Sequence, residues 1–191
     1  MPARQPNAPH RTRDTRALLT RAALEEFRQH GFAGTDSNRI ARRAGFAPQT
    51  FYRWFRDKTE IFVAAYEAWE SAERRTLDTL VGTGADAAAL ADAILAHHRR
   101  FRVFRRSLRR LAVEDDQVRA ARTAARERQI DAILRWRGLA PAHRAEIAVA
   151  LLQIERLADA DADGELRDLD VPRDAAHAAM VALLGTAPRG T

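Results

Sequence analysis

The sequence predicts an all-α chain, and three observations carry that reading. Apolar residues recur at steps of three and four, the spacing of one helix face, through most of the length. Glycine and proline fall where such stripes begin and end. No segment alternates polar and apolar residues as a half-buried strand does.

Residues 1–12 hold three prolines and no apolar stripe, so a disordered basic arm is expected there. A helix is predicted from Asp14, with Leu19, Ala23 and Phe27 at i, i+4 and i+8 and Gly31 as its end. Three short helical pieces follow through Trp69, and Gly82 with Gly84 mark a loop. Next comes a stripe of Leu90, Ile94, His97, Phe101, Phe104, Leu108 and Leu111, stepping by four and three, with arginine on most other faces. Its spacing shows no break, although a bend between Arg99 and Val103 would be compatible with it. Residues 115–136 read as a further helix, closed by Gly138 and restarted after Pro141. The following helix has the face Ile147, Ala150, Leu151, Ile154, Leu157 and Ala158, and residues 159–170 read as an acidic loop. The last helix, over 174–184, is apolar on nearly every side apart from His177. A helix apolar all round must be covered all round, and a partner subunit is the expected cover.

Composition narrows the function classes. The net charge is +6, and residues 1–60 hold twelve cations against six anions, so the whole excess lies in the first third. A basic module on a neutral body suits a polyanionic partner. The chain has no cysteine, which excludes disulfides and thiolate metal sites. No apolar run approaches the roughly 18 residues of a membrane span, and the first dozen residues lack the apolar core of a secretory signal. A cytoplasmic location is expected. No Ser-His-Asp, HExxH or phosphate-loop pattern is present, so no catalytic residues and no cofactor are expected.

The chemistry concentrates between Gly31 and Phe62. Ile40, Ala41 and Ala44 give a short helix its inner face. Gly45 supplies the positive φ that a tight inter-helix turn needs, and Phe46 plugs the corner. Pro48 suits the first position of the next helix, where its missing N–H is not needed. Phe51 and Phe55 face the core, while Gln49 and Arg53, also four apart, share another face. Gln pairs with adenine and Arg with guanine through two hydrogen bonds each, so this face suits a DNA major groove. Thr50 and Tyr52 offer hydroxyls beside it for phosphate oxygens. Asp57 to Glu60 reads as a capping box. Lys58, the sole lysine, opposes the helix dipole there by about a few tenths of a kcal/mol; an anion docking at that helix start reverses the sign.

Over residues 13–62 these residues resemble the TetR (tetracycline-repressor-like) family of bacterial regulators. The resemblance centres on Thr35, Ile40-Ala41, Ala44-Gly45, Thr50-Phe51-Tyr52, Phe55 and Asp57-Lys58-x-Glu60. Two residues depart from it: Ser37, where the family usually has an apolar residue, and Ala47, a poor N-cap where Ser is common. The resemblance implies phosphate contacts from Thr50, Tyr52 and Lys58, with Thr35 in the same DNA-binding set. It implies base-proximal roles for Pro48, Gln49, Arg53 and Trp54, with a core role as the alternative for Trp54. It further implies a larger helical domain holding a small ligand, for which Trp69, His97, Phe101, Phe104 and Gln153 are the candidates. Its last two helices would pair with their twins in a homodimer on a pseudo-palindromic operator.

The expected organisation is therefore an arm over 1–12, a helix-turn-helix DNA-binding domain over 13–62, a helical ligand-binding and dimerisation domain over 63–186, and a tail over 187–191. The expected function is that of a ligand-responsive DNA-binding regulator, a repressor first of all. The alternative is a helical small-molecule-binding protein or enzyme whose helix-turn-helix does not bind DNA. One weaker motif competes for residues 159–170. Asp159, Asp161, Asp163 and Gly164 sit as in a calcium loop, but position twelve is Asp170 and not Glu. The simpler reading, an acidic segment offsetting the arginines between Arg99 and Arg110, is preferred, and no metal site is expected.

Overall fold

The computed structural model describes residues 8–186, and every regular element among them is helical. Helix α1 spans Ala8–His30, α2 Ser37–Arg43, α3 Pro48–Tyr52 and α4 Lys58–Gly82. They are followed by α5 Ala87–Arg100, α6 Arg102–Glu114 and α7 Asp116–Arg137. A 3-10 turn at Pro141–His143 leads into α8 Arg144–Asp163, short α9 Glu165–Asp168 and α10 Arg173–Thr186. Helix α1 thus starts ahead of the expected Asp14, with Pro9 in its first turn, where a missing N–H costs nothing. Residues 1–7 of the expected arm and the expected tail over 187–191 lie outside the described residues. No helix among the described residues is long and apolar enough to cross a membrane.

The long stripe from Leu90 to Leu111 is broken, at Phe101, whose backbone leaves the helical region (φ −106°, ψ 17°). The break divides its apolar residues between two cores. Before the bend, Ile94 of the stripe packs against a small core of its α5 neighbours Ala91 and Leu95 with Ala158 of α8 and Met180 of α10. Beyond the bend, Phe101, Phe104, Leu108 and Leu111 join Leu19, Phe27, Ile40, Phe51, Phe55, Phe62 and Trp69 in one large cluster. That cluster runs from the short N-terminal helices into the body without interruption. Its aromatic spine is Phe27–Phe62 (centroids 5.0 Å apart), Phe62–Phe104 (5.2 Å) and Phe104–Trp69 (5.7 Å). The expected all-round burial of the last helix holds only in part within one chain: Ala176 and Met180 are buried, while Ala178, Ala179 and Ala182 are exposed.

The expected acidic loop over 159–170 is corrected at its start. Residues up to Asp163 form the last turns of α8, which ends at Gly164 in the left-handed conformation (φ 90°). The reason is ion pairing across helices. The Asp159 carboxylate accepts from His98 Nδ1 (3.0 Å), Arg105 Nε (2.6 Å) and Nη2 (3.3 Å), and Arg109 Nη1 (2.7 Å). Asp161 takes Arg99 (2.6 Å), and Asp163 takes Arg106 (2.8 Å) and Arg109. The calcium-loop pattern is therefore spent on arginines, in line with the preferred reading. Burial alone would raise the Asp159 carboxyl. The bonds from His98 and Arg105 outweigh it and hold the group far below the ordinary carboxylate range. Burial keeps His98 below its ordinary value, so the neutral ring donates its Nδ1–H to the ionised acid.

Asp159→Ala would leave Arg105 charged and buried. Urea unfolding should show a loss of about 3–5 kcal/mol, the usual cost of removing one partner of a buried pair. The sign with pH follows from the depressed carboxyl. Its stabilisation is present above the unfolded value of roughly 3.9 and is lost as the pH falls below it. Acid titration should therefore destabilise the wild type more steeply than the variant.

Candidate functional site

Helices α2 and α3 are joined by a turn that the sequence dictates residue by residue. Gly45 adopts φ 80°, and its N–H reaches Arg42 O (3.0 Å) while Phe46 N–H reaches Ala41 O (2.9 Å). This pair of bonds is the Schellman helix stop. Pro48 opens α3, and Ala47 makes no side-chain cap, as its methyl requires. Helix α3 is short, so Arg53 caps it and Trp54 lies in the following turn. Phe51 and Phe55 are buried, which leaves Gln49, Tyr52 and Arg53 exposed on the outer side. Pro48, Thr50 and Trp54 are half-buried, Trp54 packing against the main core. Tyr52 is 62% exposed, and its hydroxyl is paired with Ser37 Oγ at 2.9 Å. That pair gives Ser37, the departure from the family pattern, a polar purpose at the start of α2.

Three devices hold this unit in place, and the sequence foreshadows only the first, a capping box. Asp57 caps α4 by accepting from Glu60 N–H (2.8 Å), and Glu60 reaches back to Arg56 N–H (2.7 Å). From the first turn of α4, Lys58 Nζ donates to Phe32 O (2.9 Å) and Thr35 O (3.0 Å) and lies 4.1 Å from the Phe32 ring centroid. Lys58 is thus a staple between α4 and the α1–α2 turn, with one of its three N–H groups left over. Thr35 itself is buried, and its hydroxyl has no partner among the described residues. The third device is Glu26 on α1, buried, which accepts from both Arg39 (3.0 Å) and Arg43 of α2. Burial raises its carboxyl, but the bonds from Arg43 and Arg39 outweigh that and hold it low.

The expected ligand set is redistributed by the bend at Phe101. Trp69, Phe101 and Phe104 are buried in the main core. Gln153 is exposed on the outer side of α8, in an open groove with Val149, Leu152, Leu157, Ala179 and Leu183. His97 is half-buried and lies tilted between the rings of Trp69 (5.1 Å) and Phe101 (4.8 Å). Burial draws its pKa down to about 4. An apolar cavity of roughly 400 Å³ lies nearby, between α4, α5, α7 and the end of α10. Leu77, Val81, Leu90, Ile94, Ile133 and Trp136 form its apolar wall. Glu73 also lines it, 3.7 Å from His97, and burial pushes this carboxyl up to about 7. None of the predicted ligand residues is in that wall. Steps of three and four identify a helix face, but not which of two cores the face meets.

An exposed Gln-Tyr-Arg row on a short helix, braced by a glycine turn on an all-helical body, defines a helix-turn-helix unit. Residues 19–65 match the family model of the bacterial regulatory proteins of the tetR family. The fold extends the match. A transcriptional regulator from Rhodococcus sp. Rha1 superposes with a TM-score of 0.66 at 20% identity, over 90% of this chain and 95% of the other. The fatty acid degradation regulator FadR from Bacillus halodurans gives 0.58 at 14% identity, over 97% and 100%. A transcriptional regulator of the TetR/AcrR family from Thermobifida fusca gives 0.52 at 16% identity, over 92% and 100%. No curated protein shows a significant sequence match.

Gly45→Ala isolates the backbone requirement of the turn, since a Cβ there meets nothing within 4 Å. The left-handed conformation alone should cost about 1–2 kcal/mol, read as a lower urea midpoint with unchanged slope.

Proposed function

We propose that the chain is a homodimeric, effector-responsive transcriptional repressor that reads a pseudo-palindromic operator with α3. The observation that carries this is the outward row of Gln49, Tyr52 and Arg53, held on a helix whose other side is locked into the core by Phe51 and Phe55. In this reading Pro48, Gln49 and Arg53 lie against base edges, with Trp54 behind them. Thr50, Tyr52 and the third N–H of Lys58 take phosphate oxygens, while Thr35 contributes through the Lys58 staple. The division into a DNA-binding unit over 13–62 and a larger unit over 63–186 follows as a functional one, even though a single core runs through both.

Dimerisation would use the outer faces of α8 and α10. Val149 and Leu152 are exposed there beside Ala179, Ala182 and Leu183 in one open apolar groove, and two such helices from each copy close a four-helix bundle. The effector would occupy the cavity between α4, α5, α7 and α10. Helix α4 supports coupling, because its first turn carries Lys58 and its later turns carry the cavity residues Glu73 and Leu77. A ligand that fits one position of α4 better than another shifts the population between DNA-competent and DNA-incompetent spacings.

Fluorescence anisotropy with DNA flanking the gene should show sequence-preferring binding that weakens with salt. Arg53→Ala should cost about 1–3 kcal/mol and relax preference at one base position. Tyr52→Phe should weaken all sequences alike. Binding indifferent to both sequence and salt would sink the proposal. Sedimentation should give a dimer, converted to monomer with loss of operator affinity by Leu152→Glu; a wild-type monomer at micromolar concentration would remove the palindromic reading.

A further inference from the structure

Asp159 and Glu70 are buried and Glu155 is half-buried, and each of these carboxylates of the body has an internal cation. Asp159 has Arg105, Glu155 has Arg122 and Arg126, and Glu70 has Arg128. Glu73 differs. Its side chain is 13% exposed, it lines the cavity, and it makes no hydrogen bond among the described residues. The nearest ring, His97 at 3.7 Å, is kept neutral by burial and has its own Nε2 buried without a hydrogen-bond partner. The rest of the wall is mainly aliphatic, with Trp136 at 53% exposure alongside. Arg74 and Asp78 also line the cavity, so its charged lining is two carboxylates and one guanidinium. Arg74 follows Glu73 directly on α4 and therefore points about 100° away from it around the helix. A desolvated charge gains most from a partner that arrives with the ligand, because water no longer competes for it.

We propose that the cavity takes an elongated apolar molecule bearing a protonated amine, with the ammonium on the Glu73 carboxylate and the chain along Leu77, Ile94 and Ile133. This deepens the reading of the cavity as the effector site and rests on it. The ammonium supplies the donors that Glu73 and the fold do not otherwise bring together, and it holds the carboxyl ionised in an apolar surrounding.

The test uses the full chain without DNA and three probes of one length: n-decylamine, decan-1-ol and decanoate. Titration calorimetry, with Trp136 emission as a second readout, should show decylamine binding about tenfold or more tightly than the alcohol, as expected of a charge-assisted bond. Decanoate should be weakest. Glu73→Gln should bring amine and alcohol to parity with helicity by circular dichroism unchanged. Ile133→Trp, which fills the cavity and leaves the carboxylate, should abolish binding of all three. Equal binding of amine and alcohol to the wild type, decanoate binding as tightly as the amine, or no binding of any probe would overturn the proposal. So would full binding to Ile133→Trp. Operator affinity measured in the same buffer without probe judges the regulator reading separately, since none of the probe titrations contains DNA.

Discussion

The carboxylate of Asp159 sits where α5, α6 and α8 meet, and the arrangement of the body turns on it. Asp159 and Asp163 lie one helical turn apart on α8, and Arg105 and Arg109 lie one turn apart on α6. The two rows interlock, with Arg109 bridging both acids, while His98 and Arg99 bring in α5. Desolvating such a set costs about as much as the attraction returns. What it contributes is therefore mostly geometric: one rotation and one axial position of α6 satisfy both rows together. A bidentate Arg105–Asp159 pair tolerates little sliding, because its two bonds are planar and directional.

Because α6 is fixed in this way, whatever rests on its other sides is fixed too. The Arg105 guanidinium lies 5.4 Å from the Trp69 ring and so reaches α4. Ser107, two residues on, accepts the Phe32 N–H (3.0 Å) in the α1–α2 turn, the turn that Lys58 holds from the other side. Gly31 is needed at that contact: a Cβ there would stand 3.2 Å from Ser107 Oγ, and its φ of 69° is already left-handed. The short helices carrying the outward Gln-Tyr-Arg row are therefore not a loosely tethered head. They share a core with the body and are gripped by α6 and α4 at the same turn, so a displacement of either helix is felt at α2 and α3.

How much of this was legible in the sequence depends on the range of the interaction. The turn at Gly45, the Pro48 start, the buried Phe51 and Phe55 and the Asp57 cap are local. Each is specified by residues within four or five positions, and each is present in the structure. The acidic segment is legible in part: its composition announces the pairing with the Arg99–Arg110 stretch but not its helical state. The i, i+4 spacing of Asp159 and Asp163, matching that of Arg105 and Arg109, was the available signal for it. The bend at Phe101 left no trace in the spacing, because a kink can preserve the step of three and four while turning the face toward a different core. Phe101 and Phe104 of the Leu90–Leu111 stripe, and with them Trp69 of α4, which the family resemblance offered as ligand candidates, lie in the packed interior. Glu26 with Arg39 and Arg43, and Ser107 with Phe32, join distant residues across helices, and nothing local announces such pairs.

The charge count also changes meaning once partners are known. The +6 of the first sixty residues was read as one electrostatic footprint, yet its cations are not equivalent. Arg28 is held by Glu25, Arg39 and Arg43 by Glu26, and Arg56 by Asp57. Lys58 spends two of its donors on carbonyls. Arg16 lies over the Phe55 ring. Arg21, Arg42 and Arg53 are exposed and engage no carboxylate among the described residues. Net charge governs attraction at a distance and is indifferent to pairing. Close contact is not: an arginine already bonded to a carboxylate must give that bond up, or share it, before it neutralises a phosphate. In the proposed complex the basic excess would therefore draw the DNA toward this end of the molecule, while close contact falls to groups that no carboxylate holds: Arg53 toward the base edges and the third N–H of Lys58 toward phosphate.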